Sequence, residues 1–337
     1  MKFLYLFLFL FSFAGYSQTE KPNKEKFEID STYIKSFSGK IVLKANVDNK
    51  INELNVRNND ILLKLVPNIS YKYNISVEYD FLSLSIGLPK SWTGTETDNH
   101  KKGRTEGFDL SFTFFKDHWM QSLYYNQTKG FYMKNTHDIL PFWTDDLPYV
   151  QFPDFKVAKI GGSTSYVVNA KKLSFRAVNN QTEMQKKSAG SFIFTANYNY
   201  TQSDYEQEDQ KTKQRRYNII PEISYQYNWV LLNKSLLLSG KMGSGYGFSY
   251  VRDKSFQNEI TYGTGILDLN LNLSLNYQWR NFFAGIQHQI NFQNYKEDGF
   301  KVDYTLQYSN FYIGYRFNAP KVLQKSSQWV KNKIDFL

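Results

Sequence analysis

The sequence predicts an all-β fold: an antiparallel transmembrane β-barrel of about twelve strands with a short C-terminal amphipathic helix. Three observations predict it. Residues 267–279, LDLNLNLSLNYQW, alternate without a break. Similar alternating stretches recur along the chain, and the connectors between them take turns being short and long. The chain opens on a secretory leader, yet no later apolar run is long enough for a helical span.

The 267–279 stretch sets the scale. Leu267, Leu269, Leu271, Leu273, Leu275, Tyr277 and Trp279 share one face, and Asp268, Asn270, Asn272, Ser274, Asn276 and Gln278 share the other. A period of two is a strand, because successive side chains point to opposite faces. Strands in soluble proteins run about 5–6 residues. Thirteen residues at about 3.3 Å each reach about 43 Å. Tilted by about 40°, such a strand rises about 33 Å and crosses the roughly 25 Å apolar band of an outer-membrane barrel. The leucine face then meets lipid and the amide face a wet lumen.

The other elements follow in order. MKFLYLFLFLFSFAGYSQ has one lysine, an apolar run and small residues, which predicts a signal peptide over 1–17 cleaved after Ser17. Residues 18–37 form a periplasmic N-terminal segment ahead of a barrel over 38–317. In 61–73, Lys64, Asn68 and Lys72 oppose Ile61, Leu63, Leu65, Ile69 and Tyr71; in 107–114, Asp109 opposes Phe108, Leu110, Phe112 and Phe114. In 173–177, Arg176 opposes Phe175 and Ala177; in 191–201, Asn197 opposes Phe194, Ala196 and Tyr198. In 282–293, Gln287, Gln289 and Asn291 oppose Ile286, Ile290 and Phe292. A last strand, 302–317, carries Arg316.

The short connectors are expected near 73–76, 116–118, 229–234 and 280–281, and the long ones at 48–59, 89–104, 134–164, 202–215, 251–261 and 294–301. Short periplasmic turns and long extracellular loops are what barrels have. The connector at 181–190 is longer than this rule wants. Tyr277, Trp279, Phe282 and Phe283 cluster around the turn at 280–281 and are expected to form an interfacial girdle. In the tail, 318–337, Val322, Trp329, Val330, Ile334 and Leu337 line one side of a short helix, a candidate contact for a protein partner.

Composition narrows the function classes. Setting Lys2 aside leaves 40 basic against 31 acidic residues, which suits anionic lipid and lipopolysaccharide or anionic solutes; an exported chain has no nucleic-acid partner to meet. With no cysteine there is no disulfide, thiolate metal site or thiol nucleophile. Aromatic residues make up 18 % of the chain although its mean hydropathy is −0.54, as girdles plus a polar lumen require. No cofactor or metal is expected: His100, His118 and His137 fall in loops or turns without ligand spacing. Asp145–Asp146 reads as a solvated pair in a loop rich in aromatics and Pro that is able to fold over or into the barrel mouth, and GSGYGFSY at 243–250 as a bent strand. His288 is on the lipid-facing register, between Ile286 and Ile290, and is expected to be an interfacial histidine; a serine on an adjacent strand would turn it towards lipid hydrolysis.

Three stretches, VPNISYKY at 66–73, LSFRAVNNQTEMQKKSAGSFIF at 173–194 and FYIGYRFNAPK at 311–321, resemble domain-of-unknown-function family 4421, predicted outer-membrane proteins of Bacteroidota. The resemblance extends over essentially the whole chain after the leader. It implies an outer-membrane barrel and brings no activity with it. The segment Gln185–Ser191 belongs to the central stretch and reads as a structural corner, with Gly190 free in backbone angle and Ser188 capping locally.

The lumen-facing candidates are neutral amides with a few charges, residue types that suit both a hydrophilic pore and a hydrogen-bonded plug. Twelve strands fall between filled eight-stranded barrels and wide channels of sixteen or more. The leading expectation is a narrow, porin-like pore or transport protein for small polar solutes. A closed barrel with a structural or partner-binding role is second, and a lipid-modifying enzyme working on the outer face is third.

Overall fold

A computed structural model describes residues 27–58, 61–69, 71–88, 98–207, 210–254, 259–297, 300–325 and 327. The predicted leader and the tail residues Trp329, Val330, Ile334 and Leu337 lie outside them. The strands are β1 (Ile34–Ser36), β2 (Lys40–Asn58), β3 (Ile61–Val66), β4 (Lys72–Tyr79), β5 (Leu82–Gly87), β6 (Glu106–Lys116) and β7 (Trp119–Met133). They continue as β8 (Gln151–Val167), β9 (Glu183–Gln185), β10 (Ala189–Gln207), β11 (Gln210–Leu231), β12 (Leu236–Lys254), β13 (Glu259–Trp279), β14 (Phe282–Glu297) and β15 (Phe300–Asn318). Among the described residues, three α-helical turns, α1 (Asn99–Lys102), α2 (Thr136–Ile139) and α3 (Arg176–Asn179), and one 3-10 turn (Leu232–Lys234) join them.

All but β1 and β9 form one antiparallel sheet that closes on itself, β15 pairing with β2 from Asn318↔Lys40 to Lys301↔Arg57. Strands β3 and β4 lie beside β2 one above the other, so the thirteen strands fill twelve wall positions. Closure joins the first wall strand to the last, which is what lets strands cross lipid at all. The outer face is apolar at mid-height: Leu269, Leu273, Ile286, Phe311 and Ile313 all point outward, each 43–55 % exposed. Inward on the same strands stand Asp268, Asn276, Asn310 and Arg316, none more than 4 % exposed. Alternation thus delivers a lipid-facing coat and a polar interior from one strand pattern.

The wall has one breach. Between β3 and β4 the chain leaves the ladder at Pro67 and Asn68, where Pro67 has no N–H to donate. Asn68 bonds instead to the segment before β6: its N–H donates to Thr105 Oγ1 (2.8 Å) and its amide to the Gly103 carbonyl (2.7 Å). Above the breach β5 and β6 have ended, and β3 pairs directly with β7 through Leu65↔Met133 and Val66↔Tyr132. The bulge in β7 that permits this is centred on Gly130, with φ +88°. A Cβ there would collide with the Arg104 carbonyl, so the position requires glycine.

Several sequence expectations are corrected. The periplasmic turn falls at Asp80–Phe81, not 73–76, because Lys72–Tyr79 runs unbroken as β4 beside β2. The expected loops at 48–59, 202–215, 251–261 and 294–301 are, in their described residues, the upper ends of long hairpins. The sixth barrel strand is 151–167, so the loop over the rim is only 134–150; its Phe142 is 95 % exposed rather than turned into the mouth. The alternation at 173–177 is not a strand: Arg176 opens α3. Gly243, Gly245 and Gly247 sit in β12 as the bent-strand reading expects. Residues 321–325 are helical, with Val322 and Leu323 exposed.

Candidate functional site

The barrel interior is built around the connector between β8 and β10. Residues 168–188 do not pass under the barrel; they turn up into it from the periplasmic end. Leu173, 1 % exposed, starts the turn by packing with Val167, Ala170, Ala189 and Ile193, and with Phe27 and Phe175. Ser174 accepts the Ala177 N–H (2.9 Å) and donates to Glu183 (2.7 Å), which stops α3 from fraying at its start. Gln185 accepts the Ser174 N–H (2.7 Å) and an Asn228 amide proton (3.2 Å), joining the return strand to β11. Strand β1 of the N-terminal segment then pairs with β9, Ile34↔Gln185 to Ser36↔Glu183. The segment 18–37 is, in its described part, sewn onto this inward fold.

Six wall strands hold the fold in place. Lys44 of β2 donates to the Asn179 carbonyl (3.0 Å) and pairs with Glu78 (2.9 Å). Arg176 donates to the Phe115 carbonyl of β6 (3.0 Å) and lies over its ring. Asn228 of β11 donates to Ser174 (3.1 Å), and Gln287 of β14 to the Val178 carbonyl (2.7 Å). Gln181 reaches Asn276 of β13 and Tyr312 of β15, both at 3.1 Å, while Arg316 Nε donates to its carbonyl (2.9 Å). Arg316 is 1 % exposed and sandwiched between Phe37 and Phe283, at 4.2 and 4.5 Å. Cation–π contact of this kind compensates part of the cost of burying a guanidinium.

Among the described residues, three cavities stand out around the fold. The largest, about 1060 Å³, is a cup above it, walled by Asn197, Asn218, Glu222, Asp268, Asn270 and Gln289 among others. A second, about 520 Å³, lies below, between Phe27, Asp80, His118 and Arg176. A third, about 230 Å³, lies to the side, against Lys44, Asp48, Glu78 and Tyr308. Met120 of β7 lines all three, Phe175 lines the cup and the lower cavity, and Phe115 lines the lower and side cavities. An apolar neck therefore separates the lower cavity from the other two, whereas the cup and the side cavity also share Asn179, Gln287 and Tyr308.

The cup is polar but balanced. Its charged lining is Lys159, Arg216 and Lys241 against Glu222, Asp253 and Asp268. Asp268 accepts from Asn291 (2.9 Å) and Gln293 (2.6 Å), and Asn197 donates to Glu222 (3.2 Å). Three buried polar atoms on this wall, Asn218 Oδ1, Glu222 Oε1 and Asn270 Nδ2, have no hydrogen-bond partner among the described residues. Nearer the side cavity Asp109 takes Lys72 and Asn126, and Asp48 takes Asn74, Tyr308 and Asn310.

Twelve of the expected lumen residues are inside: Lys72, Asp109, Asn197, Asp268, Asn270, Asn272, Asn276, Gln278, Gln287, Gln289, Asn291 and Arg316. Arg176 is inside as well, carried by the inward fold rather than by a strand. Lys64 is opposite Asn55, on the face opposite to Lys44 and Asn46, so it points away from the lumen. Asn68 is buried in the breach. Tyr277, Trp279 and Phe282, each 49–57 % exposed, face outward at the periplasmic end as the girdle requires. Phe283 does not: one residue out of phase with Phe282, it is 4 % exposed and packs on Val42 and Tyr312 inside. Met120, Glu222 and Gln181 were not anticipated, since nothing local distinguishes them from other strand or loop residues.

Solved structures resemble the chain in outline. The outer membrane protease OmpT of Escherichia coli is 7 % identical, with 84 % of this chain and 98 % of that one covered, at a TM-score of 0.38. An outer membrane channel of Pseudomonas putida F1 is 10 % identical, with 89 % and 100 % covered, at 0.37. The translocator domain of the autotransporter NalP of Neisseria meningitidis is 8 % identical, with 86 % and 90 % covered, at 0.35. Among curated proteins, none matches. The model of a protein family described as Domain of unknown function (DUF4421) matches residues 28–317, which is the barrel together with the N-terminal segment stitched to its inward fold, and the chain belongs to that family.

Proposed function

We propose that this outer-membrane barrel is a narrow, gated pore for small polar solutes, with residues 168–188 as the gate. The observation that carries the reading is the neck at Met120: three cavities, above, beside and below the inward fold, meet at one flexible apolar side chain. Apolar constrictions gate by excluding water, and a methionine adapts its shape with little cost. The even charge of the cup favours neutral or zwitterionic solutes over anions, despite the basic net charge of the chain.

The chain has no cysteine, which permits a direct test. Val178→Cys with Gln287→Cys places one thiol on the fold and one on the wall, at a pair already bridged by hydrogen bonding. In liposomes loaded with a small sugar, oxidation should stop efflux through the double variant and a reductant should restore it; Met120→Ala should raise efflux several-fold. Efflux that ignores both the crosslink and Met120 would sink the proposal. The dense bonding of the fold favours a permanently closed barrel as the second reading, which predicts no efflux from any of these proteins.

A further inference from the structure

The lower cavity differs from the cup in its charge. The cup balances three basic against three acidic side chains. Below the fold, Glu28, Asp80, Asp117 and Glu183 face Arg176 as the one Lys or Arg among the described lining residues, in a chain whose net charge is +10. Phe27, Phe115, Phe175 and Trp119 line the same space of about 520 Å³. Carboxylates beside aromatic rings suit an organic cation, since the acids supply the field and a ring takes a weakly hydrated cation on its face.

A cation already fills part of this space, and it belongs to the chain. The Arg176 guanidinium donates to the Phe115 carbonyl at 3.0 Å and to the Asp80 carbonyl at 3.4 Å. It lies over the Phe115 ring, 5.3 Å from the centroid, with Glu183 Oε1 at 3.9 Å. Two carbonyls, a ring and a carboxylate make a pocket of acceptors alone, which suits a guanidinium with its N–H donors and repels an anion. The ring and both carbonyls belong to the wall, at β6 and the turn after β4, whereas the cation comes from α3 of the inward fold. The Arg176 side chain stays 22 % exposed, so the pocket is open to the cavity.

We propose that this pocket is a recognition site for small organic cations of the guanidinium class, which compete with Arg176 for it and so unseat the inward fold. Arg176 is then a tethered occupant that the wall holds in the absence of a free one. Tethering gives a side chain an effective concentration on the order of millimolar. A free guanidinium displaces it in that range, and binds more tightly once the tethered competitor is removed. The effect on flux rests on the gate reading above, whereas the binding does not.

The test uses the full chain refolded in detergent, with its fold checked by gel mobility before and after boiling. The probe is butylguanidinium chloride. By isothermal titration, Arg176→Ala should bind it at least about tenfold more tightly than wild type, because the tethered competitor is gone. Adding Phe115→Leu to Arg176→Ala should lose most of that gain, since the ring face is missing. In planar bilayers, the probe on the periplasmic side should raise wild-type open probability several-fold and leave Arg176→Ala, already more open, unchanged. Sodium chloride at the same ionic strength should do neither. No binding to folded Arg176→Ala, or equal binding to both proteins, would overturn the proposal. Binding with the expected difference but no change in current would uphold the site and overturn the gate instead.

Discussion

Single residues in this barrel are set by what surrounds them more than by their own type. Phe282 and Phe283 are chemically identical neighbours, yet one faces outward at the periplasmic end and the other stacks on Arg316. Asp30, on the periplasmic side and outside the wall, shows the same dependence in its charge. The Thr32 hydroxyl (2.7 Å) and the Thr32 N–H (2.9 Å) donate to its carboxylate and hold its pKa below the ordinary aspartate value. A depressed carboxyl contributes stability above the unfolded-state pKa and loses it as pH falls through the folded value. Thr32→Ala should therefore move the Asp30 titration upward, towards the ordinary value, and side-chain carbonyl NMR over pH 2 to 6 (about the carboxylate range) measures it. An unmoved titration would mean that the hydroxyl bond does not persist in solution. Alternation alone made twelve of the lumen residues readable, but the fate of Phe283 was not, because girdle composition does not reveal phase.

At the level of elements, what the sequence disclosed depended on whether the reason for a structure was local. Strand β13 was legible because both its environments, lipid and lumen, are written into each pair of residues. The inward fold was illegible because its strand-like alternation at 173–177 serves packing against Val167 and Ile193 and hydrogen bonds to six different strands. The one warning was the long connector at 181–190. Gln181 is the fold's central peg, held at φ +61° and bonded to Asn276 and Tyr312. Gln181→Ala removes those bonds and should weaken the seating of the fold by roughly 1–3 kcal/mol. In single-channel recordings that loosening should raise open probability by about tenfold or more; recordings identical to wild type would exclude Gln181 as the peg.

For the whole molecule, twelve wall positions came out of connector rhythm even though one strand was assigned wrongly, since the inward fold replaced a strand in the count while 151–167 replaced part of a loop. The rhythm survives such an error because each hairpin must return to the membrane face it left. Closure of the sheet runs through β15 and β2, and the tail touches the rest of the chain where Ala319 N–H donates to the Gly39 carbonyl and the Ser327 hydroxyl donates to Asp80. A chain ending at Pro320 should keep the full difference in gel mobility between unheated and boiled samples. A truncated protein that lost the difference would show that the tail helps to shut the barrel.

The inward fold also bears on how the molecule assembles. The closing seam joins Asp48 to Asn310 across 262 positions, and Lys40 to Asn318 across more, and is the contact a growing barrel makes last. Lys44 on one side of that seam and Tyr312 and Arg316 on the other all bond to residues 179–181, which lie midway along the chain. Once the central strands have formed, these residues offer both free edges a shared template and shorten the search that joins them. A segment that obstructs the finished lumen is thus, during biogenesis, a clasp that draws the first and last strands together.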